Sequence, residues 1–219
     1  MKLWDRWLEL LFPPKCAFCK RVLKDGEKEI CGKCEKDLPY IPDAHVIHKG
    51  DYGRCAVTFY YEDMVKTGVR GLKFGGRRHC AARFAAHMAQ TVAEHLSGEF
   101  DAVTFVPVSP RRLRQRGYDQ SALLAEELAK IWSVDVMPTL KKIRHTKAQS
   151  TIAAPEERRA NVLGAYAPLP DADIAGKRFL LVDDVLTTGS TMSACASVLR
   201  RAGAASVVCA VLAAPREKK

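Results

Sequence analysis

The sequence lacks several features that would assign its function at once. Its amino-terminal stretch, MKLWDRWLELLF, is apolar, but Asp5, Arg6 and Glu9 interrupt it, so it is too short and too charged for a signal peptide or a membrane span. No DNA-reading motif is visible, and no segment indicates a nucleobase pocket. We therefore expect a cytoplasmic protein without membrane insertion, whose ligand has to be deduced from other residues.

Acidic residues are fewer than basic ones. The 219 residues include 25 Asp and Glu against 35 Lys and Arg, a formal net charge of +10. This excess points toward anionic partners such as phosphates or nucleic acid, although charge alone does not choose between them. Hydrophobic residues make up 47% of the chain, enough for one substantial core and a small appendage.

The most informative stretch is FLLVDDVLTTGST, residues 179–191. Its first four residues form a continuous apolar run, which predicts a strand buried on both faces of a parallel sheet. Asp183 and Asp184 follow this run, then a small hydroxyl-rich turn, then a helical stretch at 192–201. A loop between the carboxyl end of a strand and the amino end of a helix offers several N–H groups and a helix dipole to an anion.

These residues favour a ribose 5-phosphate as the ligand. Amides and hydroxyls of the turn suit a monoester phosphate, and the two carboxylates can accept hydrogen bonds from vicinal hydroxyls. The turn lacks the Gly-Lys pair of a P-loop, which argues against nucleoside-triphosphate hydrolysis. In a purely structural alternative, Ser190 or Thr191 only caps the helix. Capping requires one hydroxyl, however, and the turn has four. The predicted site comprises Asp183, Asp184, Val185, Leu186, Thr187, Thr188, Gly189, Ser190 and Thr191.

Two basic stretches are candidates for a second phosphate site. A buried-type strand at 102–108 runs into SPRRLRQRGYDQ, whose turn carries Arg111, Arg112 and Arg116 to the ligand-binding edge of a parallel sheet. Guanidinium groups bind phosphate oxygens in bidentate fashion, so this turn is suited to a diphosphate. The stretch VKTGVRGLKFGGRRH, with Lys73, is predicted as a poor helix and an anion-facing loop, or else as a solvated basic face.

Four cysteines near the amino terminus have the spacing of a metal site. Cys16, Cys19, Cys31 and Cys34 form the pattern C-x2-C-x11-C-x2-C, which supplies the four thiolates of a closed, structural zinc site. Disulfides and a redox CxxC are the alternatives; a cytoplasmic chain disfavours the first and the duplicated spacing disfavours the second. The isolated Cys55, Cys80, Cys195 and Cys209 are expected to be small buried hydrophobic residues.

The remaining chain completes an α/β pattern. We expect a linker at 40–55, an edge strand at 56–61, helices at 80–96 and 121–132, a long mobile active-site loop at 140–161 and a last strand at 206–213. The predicted organisation is an amino-terminal helix and zinc-binding segment in residues 1–45, followed by a parallel-sheet domain with flanking helices in residues 56–219.

Several motifs together resemble one family. DDVLTTGST is similar to the phosphoribosyl pyrophosphate (PRPP) signature of type I phosphoribosyltransferases. LLFPPKCAFC, GLKFGG, VPVSPRRLRQRGYDQSALLA and KAQSTIAAPEERRAN resemble segments of the ComF/GntX family of phosphoribosyltransferase-like proteins, in that family's order. The resemblance implies a type I phosphoribosyltransferase fold, a structural zinc, PRPP bound with Mg²⁺, Asp183 and Asp184 on the ribose hydroxyls, and the TTGST turn around the 5-phosphate. For some members of the family, the resemblance also implies a role in handling single-stranded DNA during natural competence. The partners would then be proteins of the competence machinery.

Two departures from the family pattern remain. Residues 40–55 contain only Cys55 where relatives often have further cysteines, so we expect a single zinc. Asp119 stands where the family usually has Asn, and an acid beside a diphosphate leaves its role open. Two functions are therefore carried forward: a PRPP-binding phosphoribosyltransferase, a glycosyltransferase of pentosyl groups if it turns over, and a non-catalytic module for single-stranded DNA in DNA uptake.

Overall fold

The computed structural model describes residues 11, 13–41, 46–48, 52–144 and 162–216. The helices in these ranges are α1 (Gly32–Asp37), α2 (Asp63–Phe74), α3 (Cys80–Leu96), α4 (Pro110–Arg116), α5 (Gln120–Trp132) and α6 (Ser190–Arg201). The strands are β1 (Val46–His48), β2 (Arg54–Tyr60), β3 (Ala102–Phe105), β4 (Asp135–Val136), β5 (Leu140–Lys142), β6 (Tyr166–Pro168), β7 (Arg178–Val185) and β8 (Ser206–Ala214). None of the helices within this part of the chain has the length and apolar character to span a bilayer.

The main sheet has the strand order β1-β2-β8-β7-β3-β4. Strand β1 is antiparallel to β2, and the neighbours from β2 across to β4 are parallel. The predicted parallel sheet with flanking helices is therefore confirmed. Strands β5 and β6 form a separate antiparallel pair.

The chain leaves the neighbouring strands β3 and β7 toward opposite faces of the sheet. Helices α3 and α5 cover one face, where Phe84 and Leu124 pack with Leu180 of β7. Helix α6 covers the other, where Leu199 packs with Phe179. A crevice opens between two strand ends whose connections diverge in this way, and open α/β sheets bind their ligands there.

Strand β2 is an interior strand, whereas the sequence suggested an edge strand at 56–61. It pairs with β8 on one side and with β1 on the other. Its residues from Cys55 to Phe59 are all buried, because helices and neighbouring strands cover both of its faces. The short β1 lies within the stretch expected to be a linker and takes the edge position instead.

The glycine-rich basic stretch is helix α2, and the expectation of a loop was wrong. Val65, Val69 and Leu72 make a buried stripe along it. A Cβ atom at Gly68 would lie 3.0 Å from the Phe84 ring and 3.2 Å from the Ala17 carbonyl oxygen. Glycine lowers the intrinsic helix propensity, but here it permits close packing, and the tertiary contacts outweigh the propensity.

The cysteine-rich segment packs directly on the α/β core. The Phe18 ring is fully buried and makes edge contacts with Phe59 and Phe84, at centroid distances of 5.8 and 5.1 Å. Arg77, at the α2–α3 turn, donates to the carbonyl oxygens of Cys16 (2.5 Å) and Ala17 (3.2 Å). The segment thus shares a core with the sheet, and the predicted boundary between residues 45 and 56 remains a prediction.

Two other expectations fall partly outside the described residues. The apolar amino-terminal helix lies outside them except for Leu11. Of the loop expected at 140–161, residues 140–142 form β5 and residues 145–161 lie outside the described ranges.

Candidate functional site

A cavity of about 590 Å³ lies at the carboxyl ends of β3 and β7. The β7–α6 loop, the ends of α2 and α4, and the β5–β6 pair supply its walls. The predicted site residues that line it are Lys73, Arg112, Arg116, Asp183, Asp184, Val185, Leu186, Thr187, Gly189 and Thr191. Arg111, Thr188 and Ser190 do not line it; Arg111 points to solvent, and the hydroxyls of Thr188 and Ser190 lie 2.8 Å apart in a bond to each other.

The two adjacent carboxylates differ in their partners. Asp184 is buried; Lys73 Nζ lies 2.8 Å from its Oδ1, while its buried Oδ2 has no hydrogen-bond partner within the described ranges. Asp183 Oδ1 accepts from the Ser121 hydroxyl and from the Asp184 amide, both at 2.8 Å. Asp184 therefore keeps one buried carboxylate oxygen without a hydrogen-bond partner in the described part of the chain.

Electrostatics within the site reflect this close spacing. Burial, followed by the charge of Asp184, raises the pKa of Asp183 to about 7. Burial alone would lower the pKa of Lys73, but the charge and hydrogen bond of Asp184 raise it. Near neutral pH, Lys73 and Asp184 thus form an ion pair next to a carboxyl group that is close to its titration point.

Gly189 shapes the turn that follows β7. It caps α6 in the left-handed region, with φ +75°, and a Cβ atom there would overlap the Tyr52 ring. The turn therefore requires glycine for two reasons, its backbone conformation and the Tyr52 contact. Directly after it begins the twelve-residue helix α6, whose amino-terminal N–H groups suit an anion.

The arginine-rich stretch forms helix α4 rather than the expected turn. Ser109 caps it by accepting from the Arg112 amide at 3.4 Å, Pro110 is its first residue, and Gly117 ends it at φ +75°. These cap residues stand in the sequence in the usual order for a short helix. The helix places Arg112 and Arg116 at the cavity and leaves Arg111 outside it.

Asp119 has a structural role that resolves the question left by the sequence. Its Oδ1 accepts from the amides of Ser121 and Ala122 and caps α5, and its Oδ2 accepts from the Val108 amide at 2.7 Å. Burial raises the pKa of Asp119, and these amide hydrogen bonds partly offset that rise. Asn could accept only some of these hydrogen bonds, so the acid fits its position without contacting a ligand.

Sequence reasoning missed Lys142 and Tyr166. They are partners in the β5–β6 register and both line the cavity, with Lys142 Nζ 3.1 Å from the Tyr166 hydroxyl. Burial, and then the nearby Arg112, lower the pKa of Lys142 to about 8. No local pattern links two residues so far apart in the chain; only the strand pairing brings them together.

The four predicted cysteine ligands converge. The sulfur atoms of Cys16, Cys19, Cys31 and Cys34 all lie within 4.8 Å of one another. The Cys31 amide lies 3.4 Å from the Cys16 sulfur, and the Cys34 amide lies 3.4 Å from the Cys31 sulfur. Four clustered thiols with amides directed at the sulfurs fit a tetrahedral zinc with no open coordination position, which is a structural site.

Comparisons with known proteins match two parts of the chain. A model of the phosphoribosyl transferase domain matches residues 119–219, and a model of the double zinc ribbon domain matches residues 7–46. The DNA utilization protein YhgH of Salmonella typhimurium is 31% identical in an alignment of 204 positions that covers 88% of this chain and 86% of that protein. The chain belongs to the ComF/GntX family of phosphoribosyltransferase-like proteins.

Other members and one solved structure extend the comparison. Competence protein F of Haemophilus influenzae is 25% identical over 86% of this chain and 85% of its own length. A glutamine PRPP amidotransferase from B. subtilis covers 60% of this chain and 26% of its own, with 25% identity and a TM-score of 0.41. For this ComF/GntX member, the four-cysteine cluster and the zinc ribbon match together support one structural zinc, since the matched range holds only four cysteines.

Proposed function

We propose that this protein binds PRPP, or another 5-phosphorylated ribose, in the cavity between β3 and β7. The observation that carries the proposal is the meeting of three kinds of group in one cavity. These are an acidic pair, a glycine-shaped turn at the amino end of α6, and the basic side chains of Lys73, Arg112 and Arg116.

Each group has a part of the ligand to bind. The amides at the start of α6 and the hydroxyls of Thr187 and Thr191 face the 5-phosphate. Asp184, through its unpartnered Oδ2, and Asp183 accept hydrogen bonds from the ribose 2- and 3-hydroxyls. Arg112 and Arg116 bind the diphosphate oxygens.

Mg²⁺ fits this site because it takes one or two carboxylates together with substrate phosphates. Asp183 and Asp184 are the residues that would hold it, and the bound ion would neutralise charge on the diphosphate. If the protein is a transferase, a nucleophile attacks the anomeric carbon as diphosphate leaves. The chain then contributes the alignment of the two reactants and the stabilisation of charge on the leaving group. We propose a cytoplasmic location for this reaction.

Titration calorimetry with PRPP and with ribose 5-phosphate tests the binding. The Asp183→Asn, Asp184→Asn double variant should lose on the order of 1.5–3 kcal/mol, because charged hydrogen bonds to the sugar are weakened. Asp173→Asn is the matched control, since that exposed carboxylate pairs with Lys177 away from the cavity. Equal affinities for the wild type and the double variant would sink this assignment. A PRPP-cleavage assay with candidate bases and amines then tests for turnover.

A second candidate function is a non-catalytic module that binds single-stranded DNA in DNA uptake. The cavity is bordered by several basic side chains, which are Arg70, Lys73, Arg112, Arg116 and Lys142. Relatives carry the names DNA utilization protein and competence protein. Binding of an oligonucleotide with no cleavage of PRPP under any acceptor would favour this candidate.

A further inference from the structure

Phe74 is an exposed aromatic side chain at the mouth of the cavity. It is the last residue of α2, directly after Lys73, and 73% of its surface is accessible. It also lines the cavity that holds the acidic pair. An exposed aromatic ring beside a sugar-phosphate site offers a flat apolar surface to another part of a ligand.

The neighbouring aromatic residue, Tyr118, is not available in the same way. Its ring is buried, its hydroxyl donates to the Leu72 carbonyl oxygen, and the Arg78 guanidinium covers it at 4.5 Å from the centroid. Tyr118 therefore holds α2 against the start of α5. Among the four aromatic side chains that line the cavity, Tyr61, Phe74, Tyr118 and Tyr166, Phe74 is the exposed one.

Arg116 holds the Phe74 ring in place. Its guanidinium carbon lies 4.7 Å from the ring centroid, and Gln120 Oε1 accepts from Arg116 Nη1 at 2.6 Å. Arg116 is thus tethered to α5 while it covers part of the ring. A planar, weakly hydrated cation stacked on an aromatic ring is a common partner of a nucleobase, since both offer flat surfaces for stacking.

We propose that Phe74 and Arg116 form a platform on which a nucleobase stacks while its sugar phosphate lies in the cavity. This inference rests on the proposed function, because the cavity residues fix the sugar phosphate. The ligand class is a nucleotide unit, either a free nucleoside 5'-phosphate or one residue of a single strand. Stacking on an aromatic ring does not depend on base sequence, so the platform should accept any base.

Matched pairs of probes isolate the contribution of the base. AMP differs from ribose 5-phosphate by its base, and an oligothymidylate differs from an abasic oligomer of equal length only by its bases. In at least one pair, the wild-type protein should bind the base-containing member more tightly than the other member by a factor of about five or more. A stacked base contributes that much. A preference within the first pair assigns a free nucleotide, and one within the second pair assigns a strand.

In the Phe74→Leu variant, the ratio of affinities for the two members of a pair should fall to near one. The Phe74→Tyr variant should keep the wild-type ratio. Using ratios removes any effect of a displaced Arg116 on phosphate binding, because both members of a pair carry the same phosphates. Ribose 5-phosphate binding by the wild type with no preference for either base-containing probe would overturn the platform and leave the proposed function standing. A ratio that stays unchanged in Phe74→Leu would also overturn it. No binding of ribose 5-phosphate or PRPP at all would contradict the proposed function itself.

Discussion

Asp183 should make ligand binding and folding stability respond to pH in opposite directions. Its pKa is raised to about 7 from 3.8, so the folded protein binds an extra proton between these values. The stability that this group contributes is therefore fully present below the lower, unfolded-state pKa. It is lost as pH rises through the higher, folded-state pKa. The ionised form is the better acceptor for ribose hydroxyls, so affinity for ribose 5-phosphate should rise from about pH 6 to about pH 8.

The control for this pH effect is Asp183→Asn. The ligand phosphate itself titrates near pH 6, with a pKa of about 6. The pH profile of the variant's affinity should keep the step due to the ligand phosphate and lose the step near neutral pH. Calorimetric affinities and unfolding free energies, measured from about pH 6 to about pH 8, give the direction of the change in binding and of the change in stability. An identical pH profile in wild type and variant would show that Asp183 does not titrate there.

Gly189 allows backbone strain and steric overlap to be separated. Gly189→Ala places a side chain at φ +75° and against the Tyr52 ring, whereas Gly176→Ala has nearly the same φ, +74°, with nothing within 4 Å. Each change costs about 1–2 kcal/mol for the left-handed backbone. Gly189→Ala should cost clearly more, and it alone should weaken ribose 5-phosphate binding. Equal losses of unfolding free energy in the two variants would mean that Tyr52 yields without cost.

Single residues were predictable where the pattern is local. The zinc ligands and the acidic pair with its turn stand close together in the sequence, so spacing alone indicated their chemistry. Lys142 and Tyr166 come together only through the pairing of β5 with β6, which no local pattern encodes. His87 packs against the rings of Phe18 and Phe59, and no local pattern indicates this contact because Phe18 belongs to the distant cysteine-rich segment.

At the scale of elements, buried apolar runs predicted β7, β8, α3 and α5 well, and tertiary packing decided the rest. Helix α2 forms despite four glycines in and after it because its glycines face Phe84, Ala17 and Arg77. Helix α4 carries its own capping signals, Ser109, Pro110 and Gly117, which the density of arginines obscured. The apolar Ile131 of α5 is 49% exposed, so an apolar residue on this helix is not always an inward-facing one.

The four-cysteine segment should bind one equivalent of zinc, which supplies much of its folding free energy. Cys31→Ser should lower the zinc content measured by metal analysis. Cys55→Ser is the control, because that buried thiol of β2 lies outside the cluster. Retention of a full equivalent by Cys31→Ser would contradict the assignment.

Chelation should have its strongest effect near that segment. Amide hydrogen exchange should accelerate in residues 13–38 and in the adjoining parts of α2 and α3, because Gly68 lies against the Ala17 carbonyl and Phe84 against the Phe18 ring. Strands β7 and β8 lie deeper in the sheet and should keep most of their protection. Uniform acceleration across the chain would indicate that zinc stabilises the whole fold rather than this segment.

For the whole molecule, the basic residues around the cavity predict competition between DNA and PRPP. The Arg112→Ala, Arg116→Ala double variant should weaken both ligands, since one set of guanidinium groups serves both. Oligonucleotide affinity should fall with salt at a log–log slope of about −0.7 per phosphate neutralised. Binding isotherms at several salt concentrations, with and without PRPP, measure both effects.

The control variant also removes two positive charges, but at the end of the strands that lies opposite the cavity. Arg178 begins β7 and Arg201 ends α6, so the Arg178→Ala, Arg201→Ala double variant leaves the cavity unchanged. It should keep PRPP affinity and most of the DNA affinity. If only this control loses DNA binding, DNA contacts another surface and does not share the guanidinium groups of Arg112 and Arg116 with PRPP.

Helix α2 limits how this protein can be divided or fused. Its middle touches the cysteine-rich segment at Gly68, and its end delivers Lys73 and Phe74 to the cavity. A fragment that starts near residue 56 would retain every cavity residue, yet it would expose the apolar surface around Phe59 and Phe84 to water. Such a fragment should aggregate during expression, so truncations and gene fusions should keep the amino-terminal segment attached.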